Sequence, residues 1–99
     1  MQKINKLHLI PLLRLFDYWE VDVVGPLPIT PKRNQYIIVA VEYLSKWQEA
    51  KAISEVNALS IVNFLYQNII CRFRCFTHLH MDRETEFVNE VVKQLTEKF

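Results

Sequence analysis

Two carboxylates stand where carboxylates are costly. Asp22 lies inside "WEVDVV" at 19–24, whose β-branched valines favour an extended strand, and Asp82 closes the alternating run "FTHLHMD" at 76–82. They are sixty positions apart in sequence, so only folding can bring them together. An ionised carboxylate within a sheet is expensive, and two side by side repel each other unless a shared proton or a divalent cation compensates. Magnesium suits such a pair, since it takes oxygen ligands and is commonly held by one or two carboxylates together with substrate phosphates. The plainer reading is a strand with one wet face, on which Glu20 and Asp22 point to solvent, and Asp82 as a capping residue in a loop.

The elements that must position these acids follow from the apolar pattern. The strand at 18–24 is ended by Gly25, Pro26 and Pro28, because proline cannot donate to a ladder. A turn at 29–35 follows by composition, and "YIIVAVEYL" from Tyr36 reads as an interior strand, apolar on both faces and covered by helices. A shorter third strand is expected over 46–53. Over 57–73, Ala58, Ile61, Val62, Leu65 and Ile69 recur at helical spacing, with Leu59, Tyr66 and Phe73 widening the stripe and Asn57 as N-cap. The strand at 76–82 alternates His78 and His80 against Leu79 and Met81, and a second helix over 88–99 aligns Val88, Val91, Val92, Leu95 and Phe99. The order is β-β-β-α-β-α, which argues an α/β domain with a mixed sheet, preceded by an arm at 1–15.

Composition bounds the rest. Ninety-nine residues make at most one small domain, and 51% hydrophobic with 23% charged residues is an ordinary globular balance. A net charge of +1 does not announce a polyanion partner, so nucleic-acid binding has to be argued from a site. Two cysteines fit a reduced compartment, and Pro11 and Arg14 interrupt the leucine-rich start in the manner of no signal peptide. The run "YIIVAV" falls far short of the ~20 residues a membrane helix needs. A chain that is nuclear or cytoplasmic and not secreted, without a membrane partner or a small-molecule substrate, is the expectation.

Four strings in one order carry a resemblance: "WEVDVVGPLP", "YIIVAVEYLSKWQEA", "CRF" at the close of a helix, and "HMDRETEFVNEVV". Together they resemble, over 16–99, the catalytic core of integrases from the gypsy-type retrotransposon and retrovirus group. The resemblance implies a ribonuclease-H-like mixed sheet and a DNA partner. It also implies cutting and joining of DNA by two aspartates and a glutamate that bind two divalent ions, Mg2+ or Mn2+. Asp22 matches the first aspartate and Asp82 the second, as catalytic residues and metal ligands, on strands that the fold makes neighbours. The implied chemistry is in-line displacement at phosphorus, one ion activating the attacking hydroxyl and the other stabilising the leaving oxygen. The third acid would follow well after Asp82, past Phe99, so the resemblance implies a partial core over 16–99 that is inactive alone. A non-enzymatic remnant or protein-interaction module is the rival reading, and a hydrolytic nuclease on the same fold a third. One helix stripe could serve a homodimer.

The chain departs from the family's pattern at several places. Glu84 stands where glycine is usual after the second aspartate; if that position is left-handed, the replacement costs roughly 1–2 kcal/mol. Arg74 and Phe76 stand where glycine and proline make a turn, Met81 where a small hydroxyl residue is usual, and Gln48 where proline is frequent. A decaying or partial element copy is the expectation these departures raise. Cys71, Cys75, His78 and His80 are spaced too tightly to wrap a zinc tetrahedron, and His8 alone binds nothing. Lys32, Arg33, Lys46, Arg72, Arg74, Lys93 and Lys98 are scattered and opposed by Glu84, Glu86 and Glu90, as on a solvated surface. Tyr18, Trp19, Tyr36, Tyr43 and Trp47 read as packing rather than as a base-stacking platform.

Overall fold

The computed structural model describes residues 13–28, 31 and 33–98; most of the expected arm at 1–15 lies outside them, as do Lys32 and Phe99. Within them the chain is α/β: one mixed four-stranded sheet and two helices. The strands are β1 (Tyr18–Val24), β2 (Tyr36–Glu42), β3 (Gln48–Ile53) and β4 (His78–Met81), ordered β3-β2-β1-β4 across the sheet. Helix α1 (Ala58–Leu65) runs on as a π-helical segment, Tyr66–Ile70, and helix α2 (Thr85–Lys98) follows β4. β1 pairs antiparallel with β2 from Trp19↔Glu42 to Val24↔Ile37, and β2 pairs antiparallel with β3. β4 pairs parallel with β1, from Tyr18↔His78 to Val21↔Met81. An architecture of this kind is compatible with a ribonuclease-H-like fold.

Strand alternation sorts the side chains onto two faces. Trp19 and Val21 of β1, Ile38 and Ala40 of β2 and Met81 of β4 join Ile61, Val62, Phe64, Leu65, Ile69, Val91 and Leu95 in a single core. The described helices therefore cover one face of the sheet. Ile37, Val39 and Val41 on the other face are half-buried and lie outside that core, so β2 is an interior strand without helices on both sides among the described residues.

Asn57 caps α1 as its side-chain chemistry dictates. Its Oδ1 accepts the Ser60 N–H at 2.8 Å, and the Ser60 hydroxyl accepts the Asn57 N–H at 3.1 Å, a reciprocal capping box. The stripe is wider than the heptad spacing suggests: Phe64 is buried, whereas Leu59 is 58% exposed. The extra residue of the π turn, closed by the Cys71 N–H on the Tyr66 carbonyl at 2.9 Å, re-phases the chain so that Ile69 still reaches the core. Helix α2 begins three residues earlier than its apolar stripe, at Thr85, and Val92 is 44% exposed rather than buried with Val91 and Leu95. No helix among the described residues is long and apolar enough to cross a membrane.

The condition on which Glu84 would be strained, a left-handed backbone, is not met. Among the described residues positive φ falls at Phe16, Gly25, Arg33 and Lys46. The Glu84 carbonyl instead accepts the Val88 N–H at 3.1 Å, so this residue opens α2, where a negative side chain suits the helix dipole. The substitution for glycine is accommodated without the strain it raised.

Two carboxylates buried at the opposite end of the sheet tie the strands together. Glu42, fully buried at the end of β2, accepts the Phe16 N–H at 3.1 Å through Oε2 and the Ser45 N–H at 2.7 Å through Oε1. Its backbone accepts from the Lys46 N–H and donates to the Trp47 carbonyl, so one residue organises both the β2–β3 turn and the approach to β1. Burial pushes its carboxyl up, but hydrogen bonds from Ser45, Leu44 and Phe16 outweigh that and hold it below its ordinary value of 4.5. Asp17 accepts the Arg14 N–H at 2.9 Å and faces Arg74 at 2.5 Å. The Arg14 amide bond, against the opposing effect of burial and with help from the Arg74 guanidinium, holds its carboxyl below 3.8.

Candidate functional site

The parallel pairing of β1 with β4 sets the site. Its last paired positions are Val21 and Met81, so the next residue of each strand's chain is an aspartate: Asp22 is still within β1, opposite Val39 of β2, and Asp82 lies just past the carboxyl end of β4. Neighbouring strands lie about 4.8 Å apart. Asp22 and Asp82 accordingly line one open hollow, together with Glu20, Val21, Val24, Val39, Val41 and His80. Sixty positions of sequence separation have been closed by one rung of β-ladder.

Each acid reaches this position for a local reason. Inward Trp19 and Val21 fix the phase of β1, which turns Glu20 and Asp22 to the open face, where both are exposed. Inward Leu79 and Met81 do the same for β4, turning His78 and His80 outward and leaving Asp82 exposed just past the strand. Asp22 makes a local hydrogen bond, its Oδ1 accepting the Val23 N–H at 2.8 Å. Among the described residues the ion pairs are Arg14–Asp17, Arg72–Glu49 and Arg74–Asp17, and none of them reaches Asp22 or Asp82. On the same face, burial first, and then the charges of Glu20 and Tyr43, raise the phenol of Tyr18 above its ordinary 10.0.

Glu20 and His80 belong to the same hollow; from sequence, Glu20 is placed on the face of Asp22 and His80 is weighed only for zinc. The signal was present: each is two residues before one of the aspartates on an alternating strand, so each shares its face. Among the described residues, no group of three or more His, Cys, Asp or Glu side chains is placed to hold a metal ion. The donor set at the hollow's end is two carboxylates open to solvent, hard oxygen donors of the class that magnesium and manganese take. Cys71 and Cys75 are exposed thiols on the link between the π segment and β4, and His78 bonds Thr77 at 2.8 Å through Nδ1; with His80 they make no metal-holding group of three among the described residues.

The fold and this acid pair define an α/β domain with two carboxylates at the mouth of a parallel strand pair. No family model matches the chain. It is similar to the retrovirus-related Pol polyprotein from transposon 412 of Drosophila melanogaster, with 26% identity over 80 residues. That alignment takes in 81% of this chain and 6% of the polyprotein, so the chain spans a small part of its relative's length. The similarity supports a retrotransposon-related origin.

Proposed function

We propose that this chain is a piece of a retrotransposon integrase catalytic core, in which Asp22 and Asp82 are the first two metal-binding acids of a DNA-cutting and DNA-joining site. The observation that supports the reading best is the convergence of these two aspartates on one solvent-open hollow. In the ancestral enzyme a divalent cation held there would polarise a phosphodiester and activate the attacking hydroxyl. The work of this chain's own residues is narrower. Asp22 and Asp82 present oxygen ligands from a rigid sheet, the valines at 24, 39 and 41 give the hollow a dry wall, and the open side admits a DNA backbone. Two-ion phosphoryl chemistry needs ligands for both ions, and two carboxylates serve one. The polypeptide by itself therefore binds Mg2+ or Mn2+ without cutting DNA.

Thermal unfolding with and without Mg2+ or Mn2+, at matched ionic strength, tests this. A cation at a hundredfold excess over its dissociation constant stabilises the folded chain by about 2.7 kcal/mol. Asp22→Asn and Asp82→Asn should each remove that gain. In the absence of the cation, the same variants should match or exceed the wild type, because one of two neighbouring negative charges is gone. An unfolding midpoint indifferent to both cation and variants would refute the metal reading and favour a non-enzymatic interaction module.

A further inference from the structure

We infer that Asp17 and Arg74 form a positioning pair that sets the register of β4 against β1 and so brings Asp82 beside Asp22. The consequence for metal binding rests on the reading above; the register itself does not. β4 is only four residues long, lies at the edge of the sheet, and is paired on one side. Its sequence, His-Leu-His-Met, alternates, so inward Leu79 and Met81 fix which face each residue takes but do not distinguish the pairing from one slipped by two. A slip by two would keep every side chain on its face and carry Asp82 about 6.6 Å along β1 from its place beside Asp22.

The structure supplies the missing constraint just before the first rung. The Asp17 carbonyl accepts both the Thr77 and the His78 N–H, each at 2.9 Å, immediately ahead of the Tyr18↔His78 pair. Asp17 is itself immobilised: it is 6% exposed, its Oδ2 accepts the Arg14 N–H, and its Oδ1 meets Arg74 Nη1 at 2.5 Å. Arg74 Nη2 donates to the Leu15 carbonyl at 2.5 Å. One guanidinium on the segment leading into β4 thus grips two acceptors on the segment leading into β1. The planar fork of arginine holds the ion pair with Asp17 and the hydrogen bond to Leu15 in one fixed geometry, which a lysine cannot copy. Arg74, unexplained by the sequence pattern, has this structural task.

The test uses the full chain and reads register and metal separately. In NMR spectra the wild type shows cross-strand contacts between Val21 and Met81 and slow amide exchange at Thr77 and His78. Added Mn2+ broadens the resonances of both Asp22 and Asp82. Arg74→Ala should lose the Val21–Met81 contact and the exchange protection while keeping the Asp22–Val39 contact of β1 with β2. Its Mn2+ affinity should fall by about tenfold or more. Asn57→Ala, destabilised at the remote start of α1, should leave register and affinity unchanged. If Arg74→Ala does not fold, Arg74→Lys decides by the same readouts: reduced protection at Thr77 and His78 supports the pair, and wild-type values throughout overturn it. A folded Arg74→Ala with wild-type register overturns it as well. A wild type whose Asp22 and Asp82 ignore Mn2+ refutes the metal reading instead, and the cross-strand contacts still judge the pair.

Discussion

Replacing Glu42 by glutamine removes one oxygen acceptor and one charge while nearly preserving volume. In the wild type two backbone donors, Phe16 N–H and Ser45 N–H, divide between the two carboxylate oxygens. Glutamine can accept at only one of those positions and presents an NH2 group to the other donor. Phe16 is the more exposed to this loss, because it holds φ of 72°, an uncommon conformation for an aromatic residue, and Lys46 in the adjoining turn holds 65°. A hydrogen bond to a charged group contributes about 1.5–3 kcal/mol, and an orphaned buried donor costs about 1–3 kcal/mol. Relief of the buried charge acts in the opposite direction, but the lowered carboxyl of Glu42 says that the hydrogen bonds prevail over burial. The expected net loss is about 2–3 kcal/mol, which for a domain of this size lowers the unfolding midpoint by about 10–20 °C. The loss should also depend on pH. A carboxyl held below its ordinary 4.5 contributes its full stability above that value and loses it as pH falls through the lowered one. The gap between wild type and Glu42→Gln, followed by circular dichroism, should therefore be widest near neutrality and close on acidification. A gap that is absent at pH 7, or one that does not narrow in acid, would refute the reasoning.

Gly25→Ala should be destabilising by about 2–4 kcal/mol, because Gly25 holds φ of +136° and an added Cβ would lie 2.6 Å from the Gln35 carbonyl oxygen and 2.8 Å from Tyr36 Cδ1; urea unfolding measures the loss, and a wild-type midpoint would contradict the geometry. Asn57→Ala removes the capping box of α1 and should cost about 1 kcal/mol, read as a midpoint lower by about 4–8 °C. Asn57→Ser, which keeps an acceptor at the cap, should recover most of it.

What could be read from the sequence is what depends on neighbours along the chain. The valines of β1, the apolar run of β2 and the Asn57 cap of α1 each declare themselves within a few residues, and each element forms where its pattern lies. Boundaries were less legible where long-range packing decides them. β4 is trimmed to His78–Met81 because Thr77 is already engaged with the Asp17 carbonyl, a partner sixty positions away. The burial of Phe64 and the exposure of Leu59 and Val92 depend on where α1 meets the sheet and α2. Glu42 reads as the polar end of an apolar strand, and only the fold reveals that two loops converge on it. The expectation of strain at Glu84 came from a family glycine rather than from this chain's own geometry, in which Glu84 opens a helix. The adjacency of Asp22 and Asp82 was legible through the resemblance alone, since no periodicity links positions so far apart.

The acids of this chain divide by how they are compensated, and the division follows their distance from the hollow. Asp17, Glu42 and Glu49 are buried, and the chain answers each one: Arg14 and Arg74 serve Asp17, backbone N–H groups serve Glu42, and Arg72 with the Trp47 indole serves Glu49. These three lie where β1 and β4 begin and where β2 passes into β3, and they hold the strands in place. Asp22 and Asp82 lie at the other end, where the parallel strands finish, and none of the ion pairs among the described residues reaches them. A buried acid without such partners would shift toward its neutral form or unfold the sheet, whereas an exposed acid keeps its hydration and needs no such partner. The compensated end fixes the backbone that the uncompensated end needs: a register set at Asp17 is carried along β1 to Asp22 by the intervening ladder. On the proposed reading, the repulsion between two like charges that a sheet keeps adjacent is what a bound cation would relieve, so Asp22→Asn and Asp82→Asn should cost the chain its response to metal without costing it stability.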